Sequence, residues 1–170
     1  MAWNGLVSSA SATGTTTFST CSLGQKSADS LGRAIAEVPG EMGFESAAQF
    51  RVVVEGSQRR LNPWLSGEVY HVVREAIVNA YRHSGAKDIE AEIRYLPGEL
   101  RISVRDNGSG INPREIQWEV ETHSGLRAMR ECADRIGARL RVSTAFALGT
   151  EVELRVPGRL AFECAASAWA

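Results

Sequence analysis

Between Pro63 and Ser84 the chain carries its longest helical periodicity, and that segment limits the folds open to it. Val69, Val72, Val73, Ala76, Ile77 and Ala80 recur three and four residues apart, so a helix here has one apolar side that must lie on a core. Glu68, His71, Glu75, Asn79 and Arg82 follow the same spacing beside it and form a polar strip on the same helix. A solvated face would be served by Glu and Arg. Asn is a poorer helix former, and its place beside Val and Ala points to a specific ligand. Taken alone, the segment is open to both readings.

The flanking segments set the fold class. The β-branched run Phe50 to Val54, closed by Glu55-Gly56, reads as a strand. After the helix, Ile89, Ala91, Ile93 and Tyr95 alternate, Pro97-Gly98 turns the chain, and Leu100, Ile102 and Val104 alternate again, which predicts a β-hairpin with one buried face. Asp106 to Gly110 is Gly-rich and leads into a polar connection reaching about Ser124, expected to be a mobile loop. Gly125 to Ile136 reads as a helix with Leu126, Met129, Ala133 and Ile136 inward, stopped by Gly137. Two strands follow, Arg139 to Thr144 and Thr150 to Val156, ended by Pro157. Together these predict a two-layer α/β (α+β) sandwich, a mixed sheet covered on one face by helices.

At 170 residues the chain has the size of one domain with tails. Residues 1–26 read as a flexible Ser/Thr-rich tail, because they hold too few large apolar side chains to offset the entropy of ordering. Residues 27–48 read as an amphipathic helix and linker, with Leu31, Ile35 and Val38 in one stripe until Pro39-Gly40 ends it. The main domain is expected over 49–157 and a C-terminal tail over 158–170.

Charge and cysteine content narrow the functional classes. Nineteen basic residues against twenty acidic ones leave a net charge of -1, with no basic stripe suited to a phosphate backbone. Nucleic acid is therefore not the expected partner. Cys21, Cys132 and Cys164 form no paired metal-ligand spacing, and a reducing, cytoplasmic setting fits them. No continuous apolar run of membrane-spanning length is present.

The motif that carries chemistry is Asp106-Asn107-Gly108-Ser109-Gly110, placed where a strand ends and a loop begins. Its glycines would allow the backbone to approach a bound molecule closely, although Asp, Asn and Gly are also ordinary turn residues. The order of signals is more specific than any one of them: Glu75-xxx-Asn79 on a helix, Asp106-x-Gly108-x-Gly110, a loop closing at Gly125-Leu126, and Gly149-Thr150 before the last strand. This order resembles the Bergerat-type ATPase domain shared by gyrase, Hsp90, MutL and sensor histidine kinases. Arg74-Glu-Ala-Ile-Val-Asn79-Ala-Tyr-Arg-His-Ser84 is similar to the N box of histidine kinases in the nitrate-sensor-like class. Thr122-His-Ser-Gly125-Leu126-Arg-Ala-Met-Arg-Glu131 is similar to the second glycine box of that class.

The resemblance implies an ATP-binding catalytic domain of two-component signalling that uses ATP and Mg2+. Asn79 would be the metal ligand, offering an amide oxygen to a hard cation. Glu75, one turn earlier, would accept a proton or orient a water or imidazole, making Glu75 and Asn79 the catalytic pair. Arg82 would meet phosphate oxygens, or else form an exposed ion pair. Asp106 would accept the adenine amine, with Gly108 and Gly110 passing against base and sugar. His123, Ser124, Gly125 and Leu126 would approach the phosphates from the lid and the start of the following helix. Thr150 would hold a water at the adenine side, or simply be a β-branched strand residue. His83, near the apolar edge of its helix, reads as a packing residue.

The chain also departs from the pattern. No histidine precedes His71, where the class carries its phosphoacceptor on a dimerisation module, and Thr122 stands where the class usually has Gly. The expected partners are therefore a histidine-containing dimerisation module or a response regulator, with a homodimer in the intact kinase. The segment Leu31 to Val38 is expected to be a remnant of that module. The alternative is a non-catalytic ATP-binding regulatory or partner-binding module.

Overall fold

The computed structural model describes residues 16–18, 30–44, 48–110, 124–145 and 148–163. In chain order the elements are β1 (Thr16–Phe18), α1 (Ser30–Glu41), β2 (Gln49–Gly56), α2 (Pro63–His83), β3 (Asp88–Tyr95), β4 (Glu99–Asp106), α3 (Ser124–Arg135), β5 (Arg139–Ala145), β6 (Gly149–Pro157) and the short α4 (Gly158–Ala161). The expected Ile111–Thr122 loop lies outside the described residues.

Helix α2 begins at a proline, whose fixed φ and missing N–H suit the first turn. The Asn62 carbonyl accepts the Leu65 and Ser66 N–H groups at 3.0 Å. Its buried residues include Leu65, Val69, Val72, Val73, Ala76, Ile77 and Ala80, so the apolar stripe anticipated from spacing is the face laid on the sheet. Ser84 closes the helix. Its Oγ donates to the Ala80 carbonyl at 2.6 Å and accepts the Ala86 N–H at 2.9 Å.

The sheet has six strands in the order β1-β2-β3-β4-β6-β5. Strands β2 and β3 are parallel, joined by the α2 crossover, and every other neighbouring pair is antiparallel. Inward residues Ile89, Ala91, Ile93, Leu100, Ile102, Val104, Leu154 and Val156 are buried in one core with residues of the three long helices. Most of the alternating positions on the other face are charged. There Arg105 pairs with Glu151 at 2.8 Å and Glu92 at 3.5 Å, and Arg94 pairs with Glu55 at 3.0 Å and Glu92 at 2.7 Å. One face thus meets helices and the other carries a layer of ion pairs over the buried Glu92 and Ser103, which is the expected two-layer α/β sandwich.

The structure departs from the sequence reading at three places outside the site. Helix α1 runs through Pro39 to Glu41 rather than stopping at Pro39-Gly40, and Gly43 at φ 71 follows its end. Burying Leu31, Ile35 and Val38 at roughly 1.5–3 kcal/mol each outweighs the ~3 kcal/mol cost of a proline within a helix. The same burial covers the α1 stripe inside this domain, so those residues are not free for a partner helix. Thr16–Phe18, within the segment read as a flexible tail, pair antiparallel with Val52–Val54 and extend the sheet. Past Pro157 the packing continues: Ala161 and Phe162 are buried, Phe162 stacks on Tyr95, and Arg59 lies 3.9 Å over the Phe162 ring.

Candidate functional site

The C-terminal half of α2 holds one part of the site. Glu75 and Asn79, one turn apart, are half-buried, because the apolar stripe beside them fixes the rotation of the helix on the sheet. The first turn of α3 packs on them at Gly125. A Cβ there would overlap the Glu75 carboxylate and stand 3.4 Å from Asn79 Nδ2. A residue larger than glycine would therefore press on the side chains of this pair. Arg82 follows Asn79 by three residues and is exposed, so it lies at the open end of the same strip. His83 is exposed as well, which corrects the packing role expected of it.

The loop after β4 holds the second part. Asp106 is half-buried, and its Oδ1 accepts the Gly108 N–H at 2.9 Å. Burial raises the Asp106 pKa, while backbone hydrogen bonds from Gly108 and Thr150 act in the opposite direction. Gly108 rests on the last turn of α2, where a Cβ would overlap the Ser84 carbonyl. The Ser109 N–H donates to that carbonyl at 2.9 Å. Gly149 has φ 92, and a Cβ there would run into the Asp106 carbonyl. Both the left-handed backbone and the closeness require glycine. Gly110 lies against the Ala145 carbonyl. The end of α2, the β4 loop and the β5–β6 turn therefore meet backbone to backbone.

The structure thus brings Glu75, Asn79 and Gly125 together on α2 and α3, and Asp106, Gly108, Gly110 and Thr150 together around the β4 loop, which rests on Ser84 at the end of α2. Leu126 is half-buried and packs against the core from α3. Ser124 is placed only as the first residue of α3, and His123 lies outside the described residues.

Two residues were missed by the sequence reading. Thr144 Oγ1 lies 3.3 Å from Thr150 Oγ1 and donates to the Gly149 carbonyl at 3.2 Å. Thr144 and Thr150 are cross-strand partners in the β5–β6 hairpin, so counting register back from the Gly149 turn would have found it. Asn107 is the other, its side chain hydrogen-bonded to Lys87 and Asp88.

The arrangement fits an adenine nucleotide and a metal bound with it. A carboxylate offers about four acceptor positions, and two backbone donors leave Asp106 able to accept an amine. Among the described residues no group of three or more His, Cys, Asp or Glu side chains could hold a metal ion.

Comparison with known proteins agrees with this geometry. The profile of the histidine kinase-, DNA gyrase B- and HSP90-like ATPase family matches residues 66–160, more than half of the chain. The chain is 33% identical over 128 residues to a sensor protein NarQ homolog of Haemophilus influenzae, covering 75% of this chain and 22% of that protein. It is 28% identical over 128 residues to the sensor protein VraS of Staphylococcus aureus, covering 75% of this chain and 35% of that one. The chain thus spans about a third or less of the length of these curated relatives. Among solved structures, the blue-light activated histidine kinase EL346 of Erythrobacter litoralis superposes with a TM-score of 0.63 at 26% identity, covering 75% of this chain and 40% of that one. The chain belongs to the histidine kinase-, DNA gyrase B- and HSP90-like ATPase family, as an ATP-binding domain of the sensor histidine kinase kind.

Proposed function

We propose that this chain binds Mg-ATP and delivers the γ-phosphoryl group to a histidine on a dimerisation module outside residues 49–157. The observation that carries the reading is the contact of Gly125 with Glu75 and Asn79, which sets the first turn of α3 beside the polar strip of α2. Amides at a helix start suit phosphate, and phosphoryl transfer needs mostly positioning and charge neutralisation. When bound, magnesium would neutralise charge on the phosphates.

In this reading Asp106 accepts the adenine amine and Thr150, with Thr144, orders the polar edge beside it. Asn79 offers its amide oxygen to the metal. Glu75 orients the incoming imidazole or takes its proton at a carboxylate oxygen, and Arg82 faces the phosphate oxygens. A response regulator then receives the phosphoryl group from the histidine, in a cytoplasmic setting, with the intact kinase a homodimer.

The test has two steps. Saturating Mg-ADP, near a hundred times its dissociation constant, should stabilise the chain by about 2.7 kcal/mol in a thermal melt. Transfer from ATP to a supplied phosphoacceptor module should then be lost in Asn79→Ala. Binding without transfer would favour the non-catalytic regulatory reading. Transfer by Asn79→Ala at the rate of the unchanged chain would overturn the role given to that residue.

A further inference from the structure

Asn107 follows Asp106 directly, yet its side chain is engaged on the neighbouring strand. Its Oδ1 accepts the N–H groups of Lys87 and Asp88, each at 3.0 Å, and its Nδ2 donates to Asp88 Oδ2 at 2.7 Å. Its own N–H donates to the Asp88 carbonyl at 3.2 Å. One exposed residue is thus tied four times to the start of β3. On the other side of the loop, Gly108 and Ser109 are held against Ser84 at the end of α2. The backbone that aims Asp106 is fixed from both sides.

Only a primary amide meets these demands together. The two strand amides need an acceptor and the Asp88 carboxylate needs a donor, and both ends of one Asn side chain supply them. Aspartate would keep the acceptor but turn its second oxygen to the Asp88 carboxylate, and like charges in one site repel. Serine carries no second polar atom.

We propose that Asn107 is a positioning residue for the nucleotide base, with Asp88 as its required partner. It holds the end of β4 on β3 so that the Asp106 carboxylate and the Gly108 backbone are in place before nucleotide arrives. This rests on the ATP-site reading above. Preorganisation of this kind raises affinity by removing an ordering cost from the binding step, so its loss is read in nucleotide affinity.

The experiment is calorimetric titration of Mg-ADP into the full 170-residue chain and three variants, each also melted without ligand. Asn107→Asp should weaken ADP by roughly tenfold, the scale of a broken polar contact. Asp88→Asn should stay within about threefold of the unchanged chain, since the amide oxygen that replaces the carboxylate can still accept from Asn107 Nδ2. The double variant Asp88→Asn with Asn107→Asp, which restores a donor facing an acceptor, should return to within about threefold.

If Asn107→Asp binds ADP as tightly as the unchanged chain, or is lowered only in melting temperature, the proposal is overturned. The same holds if the double variant binds no better than Asn107→Asp. Should Asn107→Asp fail to fold, the double variant decides: affinity matching Asp88→Asn supports the pairing, and loss of binding overturns it. Absence of ADP binding by the unchanged chain would defeat the ATP-site reading itself, which separates the two failures.

Discussion

Gly125 on α3 lies so near Glu75 on α2 that a Cβ at position 125 would overlap the carboxylate oxygen Oε1. The obstructing atom is the end of a flexible side chain, so Gly125→Ala forces Glu75 aside rather than the backbone. Alanine in a helix is worth up to about 1 kcal/mol over glycine. The expected outcome is an unchanged or higher melting temperature together with phosphotransfer reduced about tenfold or more, because the carboxylate is misplaced. Melts and transfer assays on the same preparation check this. Undiminished transfer would mean that Glu75 does not act from its present place.

The pH dependence of Asp106 has opposite signs for folding and for binding. Its pKa is raised by burial, so the folded chain holds this proton more tightly than the unfolded chain does. Its contribution to stability is present below the unfolded pKa and is lost as pH rises through the folded one. Adenine binding uses the ionised form, so ADP affinity should fall as pH drops through that raised pKa. Asp106→Asn should lose roughly tenfold or more in affinity at neutral pH and flatten the dependence. Titrations between about pH 4 and 7 decide it, and a flat profile in the unchanged chain would remove Asp106 from the adenine contact.

Helix α1 is part of the folding unit because Ile35 is fully buried in the same core as Ile77 and Ile93. Ile35→Ala should lower stability by roughly 2–5 kcal/mol, seen as an earlier urea midpoint in one transition. A loss below about 1 kcal/mol, or a separate early transition, would show that α1 rides on the domain without stabilising it.

Most of the layer architecture was legible from residue spacing. The stripe Val69 to Ala80 and the alternations Ile89 to Tyr95 and Leu100 to Val104 became buried faces as read. The ends were less legible. Pro39 reads as a stop because local propensity is all that a sequence window contains, whereas the burial of Val38 and Ile35 comes from α2 and β2, distant in the chain. Phe162 similarly has no local sign of burial, since Tyr95 and Arg59 make its pocket.

The sequence by itself determined the order of elements from α1 to β6, the side of each that is apolar, and the residue types that could serve a nucleotide, since these follow from side-chain period and from glycine and asparagine at particular positions. Only the tertiary structure decided which of them meet. Gly108 rests on Ser84, Gly149 on Asp106, Gly125 on Glu75, and Asn107 on Asp88. Excluded volume and hydrogen bonding act over a few ångströms in space, and separation along the chain carries no record of those distances.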